Sequence, residues 1–184
     1  MPIVGEQVKI SDPNENGEGE ICVKGPNVMM GYYKDEEATA AVFDEEGYFR
    51  TGDMGRLDED GWLYITGRIK NLIILSNGKN VYPEEVETEL SRIYGVNEVV
   101  VYAGESRSGK EVIVAEIYPD FDGLKDRGIE GDDVVKNYFD EKVRDANGNM
   151  APYKAIGLVK IRKTEFAKNT SRKITRFNID KSID

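Results

Sequence analysis

The chain has 184 residues, a formal net charge of −10, and 39% hydrophobic against 33% charged residues, enough apolar material for one medium domain or two small ones. It contains no histidine and a single cysteine, Cys22. That removes Ser–His and Cys–His catalysis, most zinc sites and any internal disulfide, while the acidic balance disfavours a nucleic-acid surface.

Residues 7–10 and 20–24 alternate apolar and polar side chains and are predicted strands, with a polar turn at 12–17 between them. Asp35 is placed to cap a short helix running to Phe43. Residues 58–61 form a second turn and 62–66 a further strand. After Gly67 the texture changes. The apolar run 72–75 suits a buried strand, and Asn77-Gly78 signals a tight turn. Pro83 suits a first helical position, with Glu84, Glu85 and Glu87 near the positive helix end. Val86, Leu90 and Ile93 share one face, and Gly95 is placed to stop that helix. Residues 96–103 and 111–118 are predicted strands joined by a turn at 106–109. Residues 132–145 are a predicted amphipathic helix carrying Val135, Phe139 and Val143, and 158–162 a last strand. Strands and helices alternate after Gly67 but not before it, so a boundary is expected near 67–71. No apolar run approaches the roughly 20 residues of a membrane helix, and no signal peptide is visible at the N-terminus, so a cytoplasmic location is expected.

Two features point weakly to chemistry. Residues 104–110 have phosphate-loop spacing, but Glu111 stands where a magnesium-binding Ser or Thr belongs, and a strand is expected where the motif needs a helix. A hairpin turn is the better reading. Between 154 and 176 the basic residues 154, 160, 162, 163, 168, 172, 173 and 176 face one acid, Glu165. Charge alone favours a solvated face over a site for a small anion.

Sequence blocks then accumulate in order: GEICVKGP at 19–26 running on to Gly31-Tyr32-Tyr33 and Phe43; YFRTGD at 48–53; GRIKNLIILSNGKNVYPEEVE at 67–87; and AKNTSRKITR at 167–176. Together they resemble the last core motifs of the adenylate-forming superfamily, which contains acyl-CoA synthetases, luciferases and peptide-synthetase adenylation domains. Its patterns there are close to GELxIxGxxVxxGY, YxTGD, GRxDxxIKxxGxxVxPxEIE and PKTxxGKIxR. The resemblance implies an α+β chain. Residues 1–69 would be the β-rich end of the large domain's β-barrel portion. Residues 70–184 would be the small, mobile C-terminal domain, a short sheet flanked by helices. It also implies a large upstream domain holding the acid pocket and most of the ATP site, on which this chain would dock.

The implied activity joins a carboxylic acid to coenzyme A in two steps, through an acyl-adenylate. ATP with magnesium, held mainly by the upstream domain, and coenzyme A are the implied cofactor and co-substrate. By resemblance Lys173 is the catalytic lysine and contacts the nucleotide, Asp53 accepts from the ribose hydroxyls, and Arg68 reaches the ribose and phosphate side. Lys70 matches the hinge position. Gly78, Lys79 and Asn80 fall in the loop that lines the CoA tunnel. No metal ligand is assigned. Asn80 stands where other members have Arg or Gln, Arg172 replaces a glycine, and Asn169 replaces the Thr of PKT. With Lys70, these variants look most like bacterial long-chain fatty acid–CoA ligases. An adenylation domain loading a carrier protein, and a binding module that has lost catalysis, are the alternatives. Taken as an excised piece, the chain is expected to be inactive alone.

Overall fold

A computed structural model of the chain describes residues 3–105 and 111–183. The chain divides into two compact units, Met1–Leu72 and Ile73–Asp184.

The first unit is an antiparallel meander of β1 (Gln7–Ser11), β2 (Gly19–Lys24), β3 (Phe49–Leu57) and β4 (Leu63–Arg68), paired in that order. The short helix α1 (Glu36–Val42) lies between β2 and β3, and Asp35 accepts from Ala38 N at 2.9 Å as its cap, a bond worth about 1 kcal/mol. The strand β3 was not separately expected. Its residues belong to a motif block with no clean alternation, because Gly52 and Gly55 interrupt the pattern and the β3–β4 register shifts by one residue between Met54 and Gly55. A 3₁₀ turn, Ile69–Asn71, follows β4 and ends the unit.

The second unit opens with a two-stranded hairpin, β5 (Ile73–Ile74) with β6 (Asn80–Val81). The expected buried run 72–75 shrinks to this pair, with Ile73 buried and Ile74 exposed, because a two-stranded ladder buries alternate side chains only. The helix α2 (Pro83–Leu90) begins at the expected proline, but it stops at Ser91 rather than at Gly95. Gly95 instead serves the turn into β7, at φ +83, where a Cβ would lie 2.5 Å from Leu124 Cδ2.

The strands β7 (Val96–Glu105) and β8 (Glu111–Pro119) pair antiparallel out to Glu105 and Glu111. The expected turn at 106–109, and the middle of the phosphate-loop look-alike, lie outside the described residues. Glu111 starts a strand, not a phosphate-cradling helix. A short helix α3 (Phe121–Lys125), not anticipated, and α4 (Asp132–Asn147) carry the chain across to β9 (Leu158–Ile161), which runs parallel to β8. Parallel neighbours need such a crossover.

Alternation along β7 explains the core. Val99 and Val101 face a cluster with Val86 and Leu90 of α2, Leu124 of α3, and Val135, Phe139 and Val143 of α4. Val100 and Tyr102 face a second cluster with Val114 and Phe166, against which Ile174, Ile179 and Ile183 pack. The helices therefore cover one face of the three-stranded sheet, and the irregular C-terminal segment covers the other.

Candidate active-site residues

Asp53 and Arg68 meet through strand pairing. They are register partners across β3 and β4, and Arg68 Nε lies 3.0 Å from Asp53 Oδ1. The turn before Asp53 is held from beneath. Thr51 Oγ1 donates to Ile21 O at 2.8 Å and accepts from Asp53 N at 3.1 Å. Glu20, buried, accepts from Gly52 N at 3.2 Å with one oxygen. With the other it takes Arg50 Nε at 2.8 Å and Nη2 at 2.6 Å. A buried carboxylate needs such partners, and here they also fix the backbone that presents Asp53. Sequence reasoning did not single out Glu20 or Thr51, although both stand inside the motif blocks.

Lys70 sits in the 3₁₀ turn just before the division between the units. Gly78 closes the β5–β6 hairpin: its N–H donates to Leu75 O at 2.8 Å, and Leu75 N donates to Lys79 O at 2.9 Å. Gly78 has φ +76, and a Cβ there would meet nothing within 4 Å. Gly78 and Lys79 are exposed and Asn80 half-buried, so the tip of the hairpin faces open space.

Lys173 lies in the other loop of interest. Residues 167–175 form a narrow hairpin, bridged at Lys168 and Ile174, with Thr175 N donating to Ala167 O at 2.8 Å. At its tip Asn169 N donates to Lys173 O, and Lys173 N returns a bond to Asn169 Oδ1, each at 2.9 Å. Three residues on, Arg176 anchors the hairpin. Its guanidinium lies 2.6 Å from Glu87 Oε2 and donates to Val101 O at 3.2 Å. Glu87 also accepts from Val101 N at 2.7 Å. Burial pushes the Glu87 carboxyl above its ordinary range, with Arg176 pulling the other way.

The basic stretch is therefore not a simple solvated face. Lys154 pairs with Glu85 at 2.7 Å, Arg162 with Glu116 at 2.7 Å, Lys163 with Asp132, Lys168 with Glu98, and Arg176 with Glu87. Lys160 donates to Ser182 O and lies over the Tyr102 ring. Within this unit and among the described residues, the ammonium of Lys173 has no carboxylate partner. It is exposed on a loop whose backbone is cross-bonded.

No family model matches the chain. Individual proteins do. The chain is 35% identical over 182 residues, 98% of its length, to a 2-succinylbenzoate–CoA ligase of Oceanobacillus iheyensis. It is 42% identical over 105 residues, 57% of its length, to the long-chain-fatty-acid–CoA ligase ACSBG1 of Rattus norvegicus. Among solved structures, o-succinylbenzoate CoA synthetase from Bacillus subtilis, in complex with an acyl-adenylate intermediate, superposes on 96% of the chain with a TM-score of 0.73 at 31% identity. The chain belongs to the adenylate-forming superfamily. Its α+β architecture matches the C-terminal domain of those enzymes. It spans about a third of that solved structure and of the Oceanobacillus relative, and the match to the rat relative takes in 15% of that protein. No helix among the described residues is long and apolar enough to cross a membrane.

Proposed function

We propose that this chain is the C-terminal part of an ATP-dependent, AMP-forming acyl-CoA synthetase. One observation carries the reading. Among the described residues, five cations of this stretch are held by acids; Lys173, like Lys160 and the adjacent Arg172, is not. Lys173 is the one that stands at the lysine position of the AKNTSRKITR block, with its backbone fixed and its ammonium left for something else. A carboxylate oxygen of the acid bonds to the α-phosphorus of ATP as the bond to pyrophosphate breaks. The sulfur of coenzyme A then bonds to the acyl carbon as AMP leaves and the thiol proton is released. Negative charge builds around the α-phosphate in the first step, and a fixed cation there lowers the barrier without reorganising. Lys173 takes that role.

Asp53 accepts from the ribose hydroxyls. Its carboxylate is acceptor-only with two oxygens, so Oδ2 can bind a hydroxyl while Oδ1 keeps Arg68 in place. Arg68 then points its remaining N–H groups toward the nucleotide. Magnesium, when bound, neutralises the phosphates, and its ligands belong to an upstream domain. Residues 1–69 are the end of that large domain, and 70–184 rotate against it about Lys70. Gly78, Lys79 and Asn80 border the path of the coenzyme A thiol, a role supported by the open space around Gly78. The exposed Met30, Tyr33 and Ile65 of the first unit fit a surface that docks on the upstream domain. A cytoplasmic setting goes with these substrates.

The finer reading is a long-chain fatty acid as the acid, supported by the match to the rat enzyme. The experiment is acid-dependent ATP–pyrophosphate exchange by the complete gene product, with palmitate and 2-succinylbenzoate compared. Exchange with palmitate and release of palmitoyl-CoA are expected, and the isolated 184-residue chain is expected to show neither. Exchange with 2-succinylbenzoate alone would refute the fatty acid, and exchange with no acid of a broad panel would refute the ligase.

A further inference from the structure

One loop shape recurs along this chain. At residues 14–18 the N–H of Asn14 donates to Glu18 O and Gly17 N donates to Asn14 O. The side-chain oxygen of Asn14 takes the N–H groups of Asn16 at 2.8 Å and Glu18 at 3.1 Å. Asp44 builds the same loop with Glu46 and Tyr48, at 3.0 and 2.8 Å, and Asp58 builds it with Asp60 and Trp62, at 3.1 and 2.8 Å. In each the fourth residue is a glycine in the left-handed region: Gly17 at φ +74, Gly47 at +79 and Gly61 at +77.

The lysine loop is the same device. Asn169 Oδ1 takes the N–H of Ser171 at 3.0 Å and of Lys173 at 2.9 Å. Asn169 O takes Arg172 N at 2.9 Å, and Arg172 occupies the left-handed position at φ +60. The geometry shows what each of these two positions has to do. Position 172 requires a positive φ, which a glycine meets freely and an arginine meets at a cost of roughly 1–2 kcal/mol. Position 169 requires a short side-chain acceptor that reaches two N–H groups of its own loop. The hairpin at 75–79 shows the alternative. There Leu75 opens the loop with a side chain that cannot accept, and Asn77 takes a single bond from Lys79 N at 3.0 Å.

We infer that Asn169 is a positioning residue for Lys173. Resting on the proposed role of Lys173, Asn169 sets the backbone amide from which the lysine projects and holds Arg172 in its strained conformation. Without it, only backbone bonds oppose relaxation of Arg172 to negative φ, which would turn the lysine away from the phosphate. Misplacing a catalytic group by about 1 Å can cost on the order of a hundredfold.

The test uses the complete gene product carrying Asn169→Ala, Asn169→Ser, Asn169→Asp, Lys173→Ala or, as a control of the same loop type, Asn14→Ala. The readouts are pyrophosphate exchange, thioester release from supplied acyl-adenylate, and tryptic cleavage after Arg172 and Lys173. Asn169→Ala is expected to lower kcat for exchange about ten- to a hundredfold with KM for ATP little changed. Thioester release should stay near the parental rate and cleavage at 172–173 should quicken. Asn169→Ser, able to make one of the two bonds, should fall between. Asn169→Asp keeps both loop bonds, as Asp44 and Asp58 do, so cleavage at 172–173 should stay parental while the carboxylate added beside Lys173 lowers exchange. Asn14→Ala should leave exchange unchanged. Parental exchange in Asn169→Ser and Asn169→Ala while Lys173→Ala abolishes it would overturn the inference alone. Parental exchange in Lys173→Ala would overturn the assignment of Lys173 and the inference with it. Should Asn169→Ala fail to fold, Asn169→Ser decides: lowered exchange with quickened cleavage at 172–173 is expected, and parental values of both would overturn the inference.

Discussion

The two units of this chain achieve order by different means. In the second, β7 is covered on both faces, and its buried residues form clusters contributed by every helix of that unit and by the C-terminal segment. In the first, Ile21 and Cys22 are the buried apolar residues among those described, while Val4, Met30, Tyr33, Trp62 and Ile65 are exposed. Its shape rests on side-chain-closed loops and on polar bonds such as Glu20 to Arg50. A sheet with so little apolar burial gains little from the hydrophobic effect, which scales with area removed from water. The second unit carries its own core, and the first holds its shape with little apolar burial.

The strongest way to break this contrast is to cut into each unit. Phe139 is fully buried, and Phe139→Ala is expected to cost the second unit about 3–5 kcal/mol. Trp62 is half exposed, and Trp62→Ala is expected to stay within about 0.5 kcal/mol. Amide exchange resolved to each unit measures both. Similar losses would erase the distinction.

In the first unit the backbone is the vulnerable element. A Cβ at Gly55 would lie 2.4 Å from Tyr64 O, so Gly55→Ala must push β3 and β4 apart. The expected cost is about 1–3 kcal/mol, with loosening of the Asp53–Arg68 pair at the same edge. Exchange at the β3 and β4 amides reports it; no change there would mean that the strands are not held as closely as described.

Acid should act with opposite sign at Asp44 in the first unit and at Glu87 in the second. The hydrogen bond from Lys9, then that from Tyr48 N, holds the Asp44 carboxyl below its ordinary value of 3.8. Its contribution is present above that value and is lost as the pH falls through the lowered one. Glu87 is pushed above its ordinary value of 4.5, chiefly by burial. Its contribution is fully present below 4.5 and is lost as the pH rises through the raised value. As the pH falls from neutral to below 3.8, protection at β1 should weaken while protection where α2 meets β7 holds or improves. Parallel weakening in both, after correction for intrinsic exchange, would contradict these assignments.

The smallest effect expected is a gain. Arg172→Gly removes the left-handed strain and adds unfolded-state freedom, for a net stabilisation between zero and about 1 kcal/mol. Thermal unfolding measures it, and a loss above 1 kcal/mol would show that the Arg172 side chain contributes contacts of its own.

The sequence was legible where one local rule decides. Asp35 before an apolar-periodic stretch, Pro83 at a helix start, Asn77-Gly78 in a hairpin, and the stripe of Val135, Phe139 and Val143 each follow from short-range chemistry. The blocks around Asp53, Arg68 and Lys173 were legible as a pattern. What escaped depends on pairing. The strand β3 has glycines where alternation was sought, the helix before Gly95 ends a turn early because Gly95 answers to Leu124, and the basic stretch is paired by acids distant in sequence. Glu20 escaped for the same reason, since its partners Arg50 and Gly52 come from the neighbouring strand. Asn169 and Arg172 were visible only as departures, and the loop they form gives those departures their meaning.

A loop-fixed, acid-free lysine is the group proposed for the first of the two half-reactions. The measurement that tests it most directly follows both half-reactions of the complete gene product bearing Lys173→Ala. Loss of one fixed charge at a developing negative centre is expected to slow pyrophosphate exchange about a hundred- to a thousandfold, while thioester release from supplied acyl-adenylate stays close to the parental rate. Equal damage to both half-reactions, or parental exchange, would contradict the account.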